Sequence, residues 1–347
     1  VPNFASMDLV ELFRRELELC KVTENEKLVI LAEPSSRSEY VEAAFAAGLA
    51  LKANVIQAVL PGGSPVPLPS SRTGSGAGLT SLDDNPLALS LLQGADMVLD
   101  LTNEGFIHTE SLGEILRART RMLFVADPPE VLARNLPAPE DKARVQAGAA
   151  LLREGRELRV TSPHGTDLVA DLTDAHPGFQ CGIADEPGRW DHWPSTMVLC
   201  WPKTSSGRIV IAPGDILLPF KSYVRDEVTL VIEGGHITEI QGSGGDTRML
   251  ELFFEDADDE EARFLSHMGW GLMKNADWFA MALYDRESLM GMDARGLAGN
   301  FLFSTGPHPF MDRHTHNHLD IPMRGCTVAV DGRVVVDGGA LREPASL

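Results

Sequence analysis

Three scarcities narrow the reading of this sequence at once. Cysteine is rare: Cys20, Cys181, Cys200 and Cys326 are the four thiols in 347 residues, and no CxxC pair occurs. A disulfide scaffold, a zinc knot and an iron–sulfur cluster therefore lack a sequence basis, and a reducing cytoplasm is the expected setting. Basic residues are outnumbered, 30 against 50 acidic, for a formal net charge of −20. That balance repels phosphate backbones and anionic lipid, so neither nucleic acid nor a membrane surface is an expected partner. Apolar runs are short, none approaching the ~18 residues of a membrane span. The opening VPNFASMDLVELF has no basic segment leading into an apolar one, so no secretory signal is expected. HExxH, the commonest hydrolytic zinc signature, is also missing.

What is present is the composition of a globular enzyme, with 44% hydrophobic and 23% charged residues. The length is about two domains at roughly 150 residues each. The first half alternates β-rich runs with helical stretches, the rhythm of a parallel sheet covered by helices. Leu9 to Leu19 reads as a helix, LVILAEP from Leu28 as a buried strand, and SEYVEAAFAAGLALKA as a helix with Ser38 as its cap. NVIQAVLP from Asn54, a helix around Pro86 to Gly94, MVLDLTN from Met97, a helix from Glu110 and MLFVADP from Met122 continue the series. The segment from Pro61 to Gly78 is dense in Pro, Gly and Ser and reads as a surface loop. Its glycines do not follow directly from a strand, so a phosphate-binding fingerprint is not made.

After about residue 155 strand-like runs with short polar turns dominate: ELRVTS, DLVADL, STMVLCW, GRIVIAP, EVTLVIEGGHITEI and CTVAVDGRVVVDGG. The GG and DG turns in the last two are hairpin signals. A helix is expected over roughly Glu260 to Trp270 and an irregular helical piece near Asp277 to Leu289. The expected chain is thus two-domain α/β + α+β. Residues 1–155 form an N-terminal open parallel sheet flanked by helices, and residues 156–347 a C-terminal, mostly antiparallel, metal-binding domain.

The unusual chemistry lies in the second half. Six of the ten histidines fall between His236 and His318, four of them within GPHPFMDRHTHNHLD, Gly306 to Asp320. Residues two apart in an extended chain share a face. His318 and Asp320 can therefore face one ion, and so can His314, His316 and His318. A further ligand must come from elsewhere, and His267 in SHMGWGL, at the edge of the expected helix, is the candidate. Two imidazoles and one carboxylate leave open positions on an octahedral iron, as oxygen activation requires. A solvated histidine loop that picks up metal adventitiously is the competing reading. ADEPGRWDHWPS, Ala184 to Ser195, packs two tryptophans with charged groups and His192, which suits the wall of a pocket for a flat polar ring; an apolar cap is the alternative. His108 follows the Met97 strand, where open α/β sheets gather ligands, so it is a candidate for acid–base work, with helix capping or surface exposure as the alternative.

The strings GIADEPGRWDHWPS, GDILLPFKSY, SHMGWGL, MDARGLAGNFLFSTGP and HLDIPMRGC, with DPPEVLARNLP in the first half, closely resemble the 2,5-dihydroxypyridine 5,6-dioxygenase family of bacterial nicotinate degradation. The resemblance spans nearly the whole chain; a remoter one, in the two-domain plan and the HLD element, is to the M29 metallo-aminopeptidases. It implies Fe(II) held by His267, His318 and Asp320, a substrate-deprotonating histidine at His108, a second pocket histidine at His192, and a pocket bordered by Arg295, Ser304 and Thr305. It also implies dioxygen and a small N-heterocyclic ring as substrates. The chain departs from the family at Gln180, where a glutamate is expected, and in the extra imidazoles of His314 and His316. The competing classes are an M29-like peptidase, for which a complete two-zinc ligand set is missing, and a non-enzymatic metal-binding protein, which leaves WDHW unexplained. Acidic enzymes of this size commonly assemble symmetrically, so a homo-oligomer is expected.

Overall fold

The computed structural model describes residues 6–61, 81–82, 85–103, 105–107, 109–218, 220–315 and 317–342. His108, His316 and nearly all of the Pro61 to Gly78 surface loop lie outside these residues. The chain divides into two compact units that interleave in sequence. One comprises Val1–Pro139, Gln180–Ser195 and Tyr284–Met290; the other comprises Glu140–Phe179, Thr196–Leu283 and Gly291–Leu347.

The first unit is built on a five-stranded parallel sheet in the order Asn54–Val59, Lys27–Ala32, Met97–Asp100, Arg121–Val125 and Trp190–Trp193. Three of these strands are buried almost end to end without alternation, the pattern of a sheet covered on both faces. Helices Ser6–Leu19, Ser38–Ala50, Pro86–Gln93, Glu110–Arg117 and Pro129–Arg134 belong to the unit. Phe13 meets the rings of Tyr40 and Trp193 edge-on at 5.3 and 5.5 Å, and Val29, Leu31, Leu92, Val98, Ile115 and Met122 fill a continuous core. Gly48 lets the second helix approach the sheet, because a Cβ there would lie 2.7 Å from side-chain carbons of Leu28 and Val55. The cap of that helix differs from expectation: Ser38 is its first residue and Arg37 its N-cap, without a side-chain capping bond.

The second unit is mostly antiparallel. One eight-stranded sheet runs in the order His236–Gln241, Val228–Glu233, Thr204–Ile211, Asp167–Asp171, Glu157–Thr161, Thr327–Val330, Arg333–Asp337 and Ala340–Leu341. The two hairpins signalled by glycine turns are there, with Gly234, Gly235, Asp331 and Gly332 all at positive φ. A five-stranded sheet has the order Leu319–Met323, Phe301–Thr305, Leu265–Gly271, Met197–Trp201 and His176–Gln180. Among the described residues no helix is long and apolar enough to cross a membrane.

The helix expected over Glu260 to Trp270 is not formed. Glu260–Arg263 is a single 3-10 turn, Leu265–Gly271 is a strand, and the helix lies earlier, at Gly245–Ala257. The strand is buried at every position, so it shows no polar alternation and its apolar run is indistinguishable by periodicity from a buried helix. The segment from Asp277 to Leu289 is irregular as expected, holding only the short helix Ala280–Leu283 and a 3-10 turn at Arg286–Ser288.

Candidate metal centre

Three adjacent antiparallel strands of the five-stranded sheet bring the candidate ligands together. His267 lies in Leu265–Gly271, Asp320 in Leu319–Met323, and His318 just before the latter, with Phe301–Thr305 between them. Ser304 stands opposite Asp320 in the register, so its side chain shares the face of Asp320 and His318. Between Leu265 and Met268 the pairing slips, and this bulge re-aims His267. Ser304 fills it: the His267 N–H donates to Ser304 Oγ at 3.0 Å, and the hydroxyl donates to the His267 carbonyl at 3.2 Å.

The ligand atoms of His267, His318 and Asp320 all lie within 4.8 Å of one another, and all three residues are buried. Asp320 Oδ1 is 3.5 Å from His267 Nε2 and 3.4 Å from His318 Nε2. Neighbouring ligands around a first-row ion with bonds of about 2.1 Å stand roughly 3 Å apart, so the donor set is close to closing on one. Asp320 Oδ1 is buried and has no hydrogen-bond partner. A buried carboxylate oxygen left so between two imidazole nitrogens is costly unless a cation completes it. The residues thus fit a divalent metal, and two histidines with one carboxylate are the donor set of an open non-haem iron site.

The surroundings hold each ligand in a binding state. His318 Nδ1 lies 2.8 Å from the Thr305 carbonyl; donating there, it leaves Nε2 as the unprotonated ring nitrogen, the usual outer support of a metal-bound imidazole. Burial pushes His267 down to about 4, against the attraction of Asp320, so the ring is neutral at ordinary pH. Burial alone would raise Asp320, but the Arg295 guanidinium and then His318 outweigh it and hold the carboxyl well below its ordinary range. Arg295 comes from the short helix Met292–Gly296 and donates through Nε to Asp320 Oδ2 at 2.7 Å, leaving Oδ1 as the oxygen turned to the two histidines. Trp201 stands edge-on to His267 with ring centroids 5.5 Å apart.

Of the readings left open for the histidine run, the one with His318 and Asp320 is the one brought together with His267. His314 is exposed and paired with Asp312 at 2.8 Å, and His308 is buried with Nε2 3.2 Å from the Pro202 carbonyl. Thr305 lies in the middle strand with its Oγ1 buried and without a hydrogen-bond partner.

WDHW is not a turn. Trp190–Trp193 is the fifth strand of the parallel sheet, with His192 opposite Phe124 and the two rings 4.8 Å apart. Trp193 belongs to the core beside Phe13. The charges of this segment serve the chain itself: buried Asp191 accepts from the N–H groups of Cys181, Gly182 and His192 at 3.1, 3.0 and 2.8 Å and pairs with Arg189. Gln180 accepts from Ser195 Oγ at 2.7 Å. Two residues in the second unit went unnoticed in the sequence. Arg313, buried within the histidine-rich loop, donates to the carbonyls of Gly306 and Leu265 at 2.7 and 2.6 Å and ties that loop to the His267 strand. Asn300 is fully buried and spans the Arg295 helix and the same strand; its only sequence signal is a polar side chain in an otherwise apolar LAGNFLF.

Residues 8–343 match the family model for NicX, 2,5-dihydroxypyridine 5,6-dioxygenase. The 2,5-dihydroxypyridine 5,6-dioxygenase of Pseudomonas putida KT2440 is 41% identical over 345 residues, covering 98% of this chain and 97% of that protein. The solved structure of 2,5-dihydroxypyridine dioxygenase from Pseudomonas putida KT2440 matches with a TM-score of 0.93 at 39% identity, covering 99% of both chains. Wild-type AmpT from Thermus thermophilus matches with a TM-score of 0.59 at 13% identity over 96% of this chain and 98% of that one, a likeness of fold alone. On the family match and the near full-length identity, the chain belongs to the 2,5-dihydroxypyridine 5,6-dioxygenase family.

Proposed function

We propose that the chain is an Fe(II)-dependent 2,5-dihydroxypyridine 5,6-dioxygenase that opens the pyridine ring between C5 and C6 with dioxygen, giving N-formylmaleamate. The observation that carries this reading is the buried His267, His318 and Asp320 cluster in a chain of that family. Bound there, Fe(II) would supply open coordination positions and the electron transfer that lets dioxygen react with a singlet organic ring. The chain's own residues do the rest. Arg295 fixes Asp320 through Oδ2, the Thr305 carbonyl orients His318, and Ser304 holds the backbone of His267.

The two hydroxyls of the substrate are para, so they cannot chelate one ion together, and orientation must come from protein side chains. In this proposal His108 accepts the 5-hydroxyl proton, His192 donates to a ring oxygen, and Arg295, Ser304 and Thr305 border the substrate. The family resemblance supports these assignments. A homo-oligomer in the cytoplasm belongs to the same proposal, the cellular setting being supported by four buried, free thiols.

The test is anaerobic reconstitution with Fe(II), followed by simultaneous recording of oxygen uptake and loss of 2,5-dihydroxypyridine absorbance. Equimolar consumption that disappears in His318→Ala is the expected result. Absence of uptake at confirmed iron occupancy would overturn the assignment.

A further inference from the structure

We infer that Asn300 is a positioning residue of the metal centre, whose side-chain amide locks the Arg295 helix to the His267 strand and so fixes the relation of Asp320 to His267. The inference rests on the metal reading above and extends it to a residue that touches none of the ligands. Asn300 is fully buried. Its Oδ1 accepts the N–H of Gly271 at 2.7 Å, at the end of the His267 strand. Its Nδ2 donates to the carbonyls of Ala294 and Arg295 at 2.7 and 2.8 Å. Only one orientation of the amide satisfies all three, since the flipped group would set oxygen against two carbonyls and N–H against N–H.

The three bonds join what the centre needs joined. Ala294 and Arg295 lie near the end of a five-residue helix, where carbonyls lack partners within the helix, and the Asn300 amide supplies them. Arg295 then reaches Asp320 from a backbone that is held at its carbonyl. On the other side, Gly271 closes the strand that carries His267. The two segments meet tightly, as a Cβ on Gly271 would lie 2.3 Å from the carbonyl carbon and oxygen of Gly296.

Backbone bonds lace the same segments independently of the side chain: Met273 N to Gly296 O at 2.8 Å, Ala298 N to Met273 O at 3.0 Å and Gly299 N to Gly271 O at 3.1 Å. An Asn300 variant therefore keeps its topology, and what it loses is the fixed placement of the Arg295 carbonyl and of the end of the His267 strand. Residues that orient metal ligands from outside the coordination shell typically change affinity by about 10–100-fold, and a change of that size is expected here.

The experiment is anaerobic titration of the metal-free full chain with Co(II), read by its visible absorption and by calorimetry, alongside thermal melts without metal. Asn300→Ala should bind Co(II) about 10–100-fold more weakly than wild type, with an altered visible spectrum. Asn300→Asp keeps the size and one acceptor but faces two carbonyls with oxygen, so it should lose at least as much. Thr120→Val, which removes a fully buried hydroxyl bonded to the Leu92 and Ala95 carbonyls in the first unit, should lower the melting temperature and leave Co(II) binding unchanged. If Asn300→Ala does not fold, Asn300→Ser takes its place with the same expectation. Wild-type Co(II) affinity and spectrum in the Asn300 variants, with only the melting temperature lowered, would overturn the inference and leave the metal reading standing. Absence in wild type of Co(II) binding that His318→Ala abolishes would instead overturn the metal reading, and the inference with it.

Discussion

Glu16 offers a test of the energetics whose magnitude follows from linkage alone. It lies in the first helix, is fully buried, and has one weak partner, the Cys20 thiol, donating to Oε1 at 3.6 Å; Oε2 has none. Burial raises its pKa well above 4.5, the Cys20 bond opposes this weakly, and the charge of Asp191 adds to it. A carboxyl whose folded pKa is raised costs nothing below its unfolded pKa and destabilises progressively as pH rises from there to the folded pKa. The slope is fixed at about 1.4 kcal/mol per pH unit. Glu16→Gln keeps the shape and removes the titration. Any cost of burying the amide is independent of pH, so it offsets the comparison without tilting it. Urea unfolding of both proteins at pH 5, 6 and 7 should show the variant gaining on wild type by about 1.4 kcal/mol per unit until the folded pKa is passed, or about 2 °C per unit in thermal melts of the 347-residue chain as one cooperative unit. The difference between the two proteins is the quantity to read, since it cancels every other titrating group that the substitution leaves alone. A gap that stays constant from pH 5 to 7 would refute the reasoning, because it would mean that Glu16 is ionised in the folded state without penalty.

Two substitutions probe the packing and charge pairing around the metal centre. Arg295→Leu removes the guanidinium from a carboxylate that is equally buried, and breaking a buried pair on one side costs about 3–5 kcal/mol; calorimetry in excess chelator should show it, and a loss below ~1 kcal/mol would mean that the pair behaves as though solvated. Gly271→Ala places a methyl 2.3 Å from the Gly296 carbonyl, so the strand and helix must separate at an overpacking cost of about 1–3 kcal/mol, with weakened Co(II) binding; unchanged melting and binding would show that the two segments do not meet as tightly as described.

The parallel sheet was legible because its strands are buried on both faces and read as unbroken apolar runs, and the hairpins because glycine or aspartate at positive φ marks their turns. The same rule explains the failure at Leu265–Gly271. A fully buried strand in an antiparallel sheet shows no alternation, so the residue type at His267 was readable while its local structure was not. His318 and Asp320 were readable because a spacing of two is a local property of an extended chain. Ser304 and Arg295 could be named only by resemblance, since what they touch depends on a bulge in one strand and on a helix end far from either ligand in sequence. The fold of the segment around WDHW was not legible: the turn before it folds back so that three N–H groups and Arg189 meet Asp191, and those donors lie in parts of the segment that sequence spacing does not bring together.

Charge connects the architecture of the centre to its chemistry. Asp320 and Arg295 neutralise one another within the buried site, and imidazoles acting as metal ligands are neutral. The protein therefore contributes no net charge to the donor set, and a divalent ion added to it leaves two uncompensated positive charges in a region where screening is weak. Such a site favours anions, and it lowers the pKa of any hydroxyl brought to it. A dihydroxypyridine fits that demand as its oxyanion, which is also the electron-rich form that ring cleavage requires. A carboxylate in place of the neutral Ser304, or loss of Arg295, would each move the charge by one unit in the direction that weakens this preference. The Asp320–Arg295 pair therefore does two things at once: it keeps one carboxylate oxygen turned to the histidines, and it withholds from a bound cation the full neutralising charge of that carboxylate.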